Sequence, residues 1–359
     1  MPLIVAGDFA WPSQTCVNID DIVSILSSFS LVINLEGPIL DNYPEFFDVK
    51  NDLKFNLYSV VGVFDILKRL NVFSLCLSNN HIGDYVGACG DTIDLIRKHK
   101  LSFFGIERFP YVDLQYEGLN FRFVGAVSPI TEITCDSDGL TANTLSPGEM
   151  LHLIKSWRDE ASDLKIIVFA HWGYELARYP LPADRSWAHQ AIHAGADFVI
   201  GHHPHVVQGI EKVGKGIIAY SLGNFILPQV NYRGRNLTYF DQDVKTQLAI
   251  TLENDPQLVW MKFDTDNNII TVTCREQLSD SSKISELTPF SGMTEMEYRE
   301  WFKNSVKNGT ANFKRGQAIL WSYVGAWRIH VAGVFQYLRI RRLIRSLLIR
   351  MRLHRPYNW

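Results

Sequence analysis

Through the first 225 residues, short apolar runs alternate with longer amphipathic stretches. The runs Leu3–Ala6, Leu31–Asn34, Val72–Leu77, Ser102–Gly105, Phe121–Val127, Lys165–Ala170, Phe198–Ile200 and Gly216–Tyr220 are too short for helices and predict strands. Between them, the spacing of apolar residues predicts helices near Ile19–Phe29, Leu57–Leu70, Asp91–His99, Pro147–Glu160 and Ser186–Ala194. This alternation points to an α/β core with buried strands. From Gln247 the texture changes. Gln247–Leu252, Leu258–Phe263 and Ile269–Cys274 are separated by Asn- and Asp-rich turns and read as an antiparallel meander. The main domain is drawn over residues 1–278, followed by a polar linker with one short helix at 279–317 and a basic helical segment at 318–359.

Polar side chains able to hold a metal recur at the C-terminal ends of these strands. Asp8 follows the first, Asn34 and Glu36 the second, and Asn79, Asn80 and His81 the third. His171 follows Ile166–Ala170, and His202-His203-Pro204-His205 follows Phe198–Ile200. In α/β sheets such strand ends gather on one rim, where ligands bind. Taken singly, Asp8 reads as a turn or helix cap, Asn79-Asn80 as a turn, and His171 as a core histidine. Three imidazoles within four residues make a poor core and a good ligand set. Coincidence of polar clusters at five strand ends then favours one shared cleft. Pro204, with its fixed φ, holds His203 and His205 apart. Mixed His, Asn and carboxylate donors suit Mn²⁺, Zn²⁺ or Fe better than Ca²⁺.

Around this set, His202, Glu175, Arg178, Arg185, Gln208 and Asn224 are candidates for positioning substrate. The two guanidiniums either grip a phosphate or carboxylate through paired hydrogen bonds or are ordinary solvated helix charges. Asn224 either reaches the site or ends a strand.

The formal charge of −3 hides an asymmetry. Residues 301–359 hold 12 Lys/Arg and no acidic residue; 35 less these 12 leaves 23 basic against 38 acidic residues in the first 300, a net of −15. Within Leu338–Leu353, Arg339, Arg341, Arg342, Arg345, Arg350 and Arg352 flank a helical stripe of Ile340, Leu343, Ile344, Leu347 and Met351. Such a basic amphipathic helix suits an anionic membrane surface and is too heavily charged to span. A partner protein such as a synthase, or the acidic body itself, is the other expected occupant, and nucleic acid is not expected because no binding motif accompanies the charge. The five cysteines are scattered without a CxxC pair, which predicts small buried thiols in a reducing compartment. The opening run Leu3–Ala6 has no basic flank and is too short to be a signal or a span, so the body is expected in the cytoplasm, peripheral on the inner face of the membrane.

Several motifs occur in a fixed order: Gly-Asp at 7–8, Asn-Leu-Glu at 34–36, Ser-Asn-Asn-His at 78–81 and His-Trp-Gly-x-Glu at 171–175. Gly-Ala-Asp-x-Val-Ile-Gly-His-His-Pro-His-Val-Val-Gln-Gly at 195–209 and Tyr-Ser-Leu-Gly-Asn-Phe at 220–225 complete the series. Over about Leu3–Phe225 the chain resembles the CapA family, the poly-gamma-glutamate capsule biosynthesis proteins, itself similar to calcineurin-like metallophosphoesterases. The resemblance implies a sandwich of two packed mixed β-sheets flanked by helices, and a centre for two divalent ions. By it, Asp8 and His205 hold one ion, His171 and His203 the other with help from Asn80, and Glu36 bridges them. His81 then stabilises the phosphoryl group or protonates the leaving oxygen. Two positions depart from the phosphoesterase pattern: Asp8-Phe9-Ala10 stands for Asp-x-His, and Glu36 for the bridging Asp.

Two functions follow as expectations. One is a dinuclear metal-dependent hydrolase of phosphoesterase type, acting on a phosphorylated or anionic intermediate of capsule, polyglutamate or other cell-envelope polymer synthesis. The other is a non-catalytic metal-binding or scaffolding subunit of a membrane-associated synthesis complex. The missing imidazole at position 10 favours the second, and His81 favours the first.

Overall fold

The structure, a computed structural model, describes the chain except residues 14, 50–54, 129–130, 132–139, 145, 233–234, 314–316, 318, 324–339, 341–342, 345–346, 349–350 and 352–359. Two sheets lie face to face. The first runs, in spatial order, Ile269–Gln277, Gln257–Asp264, Thr246–Thr251, Leu3–Phe9, Ser30–Leu35, Val72–Cys76 and Ser102–Phe104, with Asn224–Ile226 added in parallel to Leu3–Phe9. The second runs Ile210–Val213, Gly216–Ala219, Phe198–His202, Lys165–His171, Leu119–Val127 and Tyr111–Tyr116. Both are mixed sheets, and the expected meander joins the first through the antiparallel pairing of Ala249 with Ala6.

Alternation along each strand sorts side chains between layers. Val5, Val32, Phe104, Leu248 and Trp260 of the first sheet meet Phe123, Ile167, Phe169 and Ile200 of the second. Ile4, Ala6, Leu31 and Ile33 point the other way and pack with the helices Asp20–Leu26, Val63–Arg69 and Ala88–Lys98. On the far side, Ile166, Val168 and Val199 pack with the helices Pro147–Glu160 and Pro182–Ala194. Central strands covered on both faces have no place for a regular polar alternation, which is why they read as continuous apolar runs. Pro147–Glu160 shows how local chemistry agrees with this plan. Ser146 and Glu149 form a capping box, Pro147 occupies the first turn, and Met150, Ile154 and Trp157 form the buried stripe.

Several expectations are corrected. Only Val63–Arg69 of the helix drawn at Leu57–Leu70 is helical; Ser59–Val60 instead pairs with Ile39–Leu40, as suits a β-branched stretch broken by Gly62. The supposed linker at 279–317 carries two helices, Ser282–Leu287 and Glu295–Lys307. Ile284 enters the inter-sheet core, and Phe290, Tyr298 and Phe302 pack beneath Pro182–Ala194, so a polar composition concealed a few large anchors. Cys76 and Cys89 are buried thiols as expected, whereas Cys16 and Cys274 are exposed. The tail arginines Arg339, Arg341, Arg342, Arg345, Arg350 and Arg352 lie outside the described residues.

A buried ion pair fastens Pro182–Ala194 to the second sheet. Arg185 Nε and Nη2 each reach a Glu211 oxygen at 2.8 Å, and Nη2 also donates to Met293 O at 2.9 Å. Burial alone would raise the Glu211 carboxyl, but hydrogen bonds from His189, Arg185 and Tyr220 outweigh it and hold it at about 2. The Arg185 fork, a candidate for gripping substrate, is engaged by Glu211 in this structure.

Two predictions follow from these contacts. A folded-state value below the ordinary 4.5 means that Glu211 stabilises fully above that pH and loses its contribution as the pH falls toward about 2. In urea unfolding, Glu211→Gln should cost on the order of 3 kcal/mol at neutral pH, with a smaller difference from the parent in acid; a pH-independent difference would contradict this. A Cβ at Gly7 would lie 1.9 Å from Gly223 O, so Gly7→Ala must push Asn224–Ile226 off the first strand. Its expected cost is about 3 kcal/mol, and a loss below about 1 kcal/mol would contradict the close approach.

Candidate metal centre

Strand pairing brings the polar clusters together. Asp8 is in register with Asn34 on one side and Asn224 on the other, and His171 with His202. The Asp8 carboxylate joins the two sheets at their rim. Its Oδ1 accepts from Asn34 Nδ2 at 2.8 Å and bonds His202 Nδ1 at 3.0 Å, while Oδ2 accepts the His203 backbone N–H at 3.1 Å. His202 also stacks on Phe169 at 5.0 Å. His202, expected beside substrate, therefore holds Asp8 instead.

Glu36 stands among three imidazoles. Its Oε1 is 3.9 Å from His171 Nε2 and 3.8 Å from His205 Nε2. Glu36, His203 and His205 each offer one ligand atom, and these atoms all lie within 4.8 Å of one another. The His171 and His203 ring centroids are 4.8 Å apart, and Asn80 Oδ1 is 2.7 Å from His171 Nε2. His205 Nδ1 is braced by Asn224 Oδ1 at 2.9 Å and sits 3.4 Å from Asp8 Oδ2. Thus Asn224 reaches the site, but it orients a histidine. His203 and His205, on either side of Pro204, adopt φ of 93° and 58°, a left-handed backbone that costs non-glycine residues on the order of 1–3 kcal/mol.

The electrostatics suit a cation. Burial alone would raise the Asp8 carboxyl, but the His202 hydrogen bond and the nearby imidazoles hold it below the usual carboxylate range. Burial lowers His203 to about 4 against the opposing charges of Glu175 and Asp8, and it lowers His171 well below its ordinary value. At neutral pH these two rings are neutral and keep lone pairs for coordination. His203 Nδ1 is buried without a hydrogen bond, at a cost of roughly 1–3 kcal/mol that a coordinated ion would offset, while His171 turns Nε2 toward Glu36 and Asn80. The donors present therefore fit a divalent metal.

His81 borders this group. Its Nδ1 is 2.6 Å from Asp84 Oδ2, and its backbone N–H donates to Asn79 Oδ1 at 3.0 Å. Asn79 Nδ2 in turn donates to Asn34 Oδ1 at 3.2 Å and Leu35 O at 2.8 Å. Asn34 and Asn79 were visible as strand-end residues, but their bracing roles were not. Asp84 was missed altogether, although a carboxylate three residues after His81 was a usable signal. The remaining substrate candidates divide. Glu175 is close enough for its charge to act on His203. Gln208 donates to Ala177 O at 2.8 Å and so ties a loop, and exposed Arg178 pairs with Asp243 at 3.0 Å, a surface contact of little energetic weight.

Comparison with known proteins agrees with the ordered motifs. A family model described as bacterial capsule synthesis protein PGA_cap matches residues 26–229. The capsule biosynthesis protein CapA of Bacillus anthracis is 32% identical over 213 residues, covering 55% of this chain and 50% of that protein. The PGA biosynthesis protein CapA of Bacillus subtilis is 31% identical over 207 residues, covering 55% and 52%. The chain thus spans about half the length of these relatives. Among solved structures, the calcineurin-like phosphoesterase YfkN from Bacillus subtilis aligns with a TM-score of 0.39 at 13% identity, covering 86% of this chain and 98% of that one. With more than half its length matched by the family model, the chain belongs to the bacterial capsule synthesis protein PGA_cap family.

Proposed function

We propose that this protein is a metal-dependent hydrolase of phosphoesterase type, acting on a phosphorylated or anionic intermediate in the synthesis of capsule, polyglutamate or another cell-envelope polymer. The observation that carries the reading is the buried ring of Glu36, His171, His203 and His205, with His81 held at its edge by Asp84. Asp8 and Asn80 complete the donor set, which has room in its composition for two ions of Mn²⁺, Zn²⁺ or Fe. Divalent ions in this ring would neutralise charge on a phosphoryl group and polarise its oxygens. The other parts belong to the chain. Asp84 accepts from His81 Nδ1 and fixes its tautomer, so that Nε2 is the atom that exchanges a proton with the leaving oxygen. Asn224 and Asn80 hold the rings of His205 and His171 in place. Glu175, beside His203, faces substrate.

One observation supports a second reading. Position 10, where phosphoesterases carry another imidazole, is a fully buried alanine. A centre so reduced would suit a metal-binding or scaffolding subunit of a membrane-associated synthesis complex.

Metal analysis combined with Mn²⁺-supplemented hydrolysis of an aryl phosphomonoester and an aryl phosphodiester separates the two. The hydrolase reading predicts turnover that His81→Ala lowers about 10²–10⁴-fold with metal content unchanged. His203→Ala should lose both metal and turnover. Stoichiometric metal with no turnover on either ester would support the scaffolding reading, and less than one metal per chain after chelator-free purification would contradict both.

A further inference from the structure

Two segments leave the first sheet on the side of the metal centre. Asn224–Ile226 runs parallel to Leu3–Phe9, so the chain after Ile226 emerges past the strand end that carries Asp8. The chain after Ser30–Leu35 emerges beside it and begins with Glu36. Strand C-termini are where α/β sheets hold ligands. These segments, with the one that follows His81, bring Tyr58, Tyr85, Tyr232 and Tyr239 to that rim, all four buried.

Contacts fix where the tyrosines lie. The Asp84 carboxylate that holds His81 also accepts the Leu57 N–H at 3.0 Å, and Tyr85 Oη donates to Asn56 O at 3.2 Å. Tyr58, next along the chain, meets the Tyr85 ring edge-on at 5.9 Å and the Tyr232 ring edge-on at 5.8 Å. From the opposite side, Tyr239 Oη accepts from Asn224 Nδ2 at 3.5 Å, and Asn224 is the residue that braces His205. Between these points Asn231–Tyr232 pairs with Arg235–Asn236, and the Leu237 N–H closes the hairpin on Val230 O at 2.9 Å. The hairpin thus hangs between the His81 side and the His205 side of the centre, and the Glu36 charge acts on both Tyr232 and Tyr239.

The four hydroxyls differ. Tyr58 Oη shares a hydrogen bond with Ser13 Oγ at 3.1 Å, Tyr85 Oη is held by Asn56, and Tyr239 Oη donates to Leu227 O at 2.7 Å. Tyr232 is 1% exposed, and its hydroxyl has no hydrogen-bond partner among the described residues. A buried phenol ordinarily finds an acceptor, so this one is kept against a cost. Burial, and then the charges of Tyr239, Tyr58 and Glu36, raise it well above its ordinary value, which keeps its proton in place and makes it a donor. We propose that Tyr232 is a substrate-binding residue of this centre, its hydroxyl donating to an oxygen of a phosphoryl group seated there. The assignment rests on the phosphoesterase reading and supplies what that reading lacks. Metal ions take some phosphoryl oxygens and the others need donors, yet Arg185 is engaged by Glu211 and Arg178 by Asp243.

Titration of inorganic phosphate into the full chain loaded with Mn²⁺ tests the assignment, with Tyr232→Phe beside the parent. The substitution keeps the ring against Tyr58 and removes one hydroxyl. Phosphate should bind the variant about tenfold or more weakly, and the KM for an aryl phosphomonoester should rise with it, at unchanged metal content. Thermal unfolding should not move to lower temperature, since no hydrogen bond within the protein is lost. Unchanged phosphate affinity would overturn the assignment while leaving the hydrolase reading to its own test. Metal lost in step with phosphate would overturn it too, by making Tyr232 a support of the ligands. A metal-loaded parent that binds no phosphate would overturn it together with the phosphoesterase reading. Weaker phosphate binding by Tyr232→Phe beside a parent without turnover would sustain the binding role and remove hydrolysis alone.

Discussion

Asp8 is the point at which the two sheets are joined chemically as well as by packing. The apolar layer between them is non-directional and would tolerate small slips of one sheet over the other. Three polar contacts on one carboxylate, from Asn34 in the first sheet and from His202 and His203 in the second, remove that freedom at the rim. On its other side, Gly7 lets Gly223 approach where any side chain would collide, which seats Asn224 beside Asp8. The position of His203, and through it the whole ring around Glu36, follows from this junction.

Around the junction the protein tolerates features that stability alone would select against. Two histidines adopt left-handed backbone, and buried ring nitrogens of His171 and His203 have no hydrogen bond. Such costs persist where surrounding structure enforces them, and here they coincide with donors converging on one small volume. The remaining ionic groups behave differently. Glu211 is fully engaged with Arg185, His189 and Tyr220, which marks that cluster as structural bracing and not as a second reactive site.

Much of this was legible in the sequence, for a physical reason. Strands covered on both faces must be apolar along their length, so Leu3–Phe9, Lys165–His171 and Phe198–His202 announce themselves, and the polar residues that end them stand out. The strand ends pointed to Asp8, Asn34, Glu36, Asn79, Asn80, His81, His171, His202, His203 and His205; the family resemblance singled out Asp8, Glu36, Asn80, His171, His203 and His205 among them as ligands, and the structure brings those six to one place. Roles that depend on side-chain direction were not legible. His202 and His203 are neighbours in sequence, yet one stacks on Phe169 behind Asp8 and the other joins the ring. Arg185 and Arg178 had the right chemistry for an anion, but Glu211 and Asp243 already hold them. Composition likewise misled at 279–317, where Phe290, Tyr298 and Phe302 fold a polar segment onto the core.

The central claim is that one divalent-metal centre is built from the strand ends around Glu36. Anomalous diffraction at the zinc edge from crystals soaked in Zn²⁺ tests it without reference to any reaction. A strong peak is predicted about 2.0–2.2 Å from Glu36, His203 and His205 donor atoms, with any second peak next to His171 and Asn80. Full-occupancy peaks confined to surface carboxylates, with none inside the ring, would contradict it.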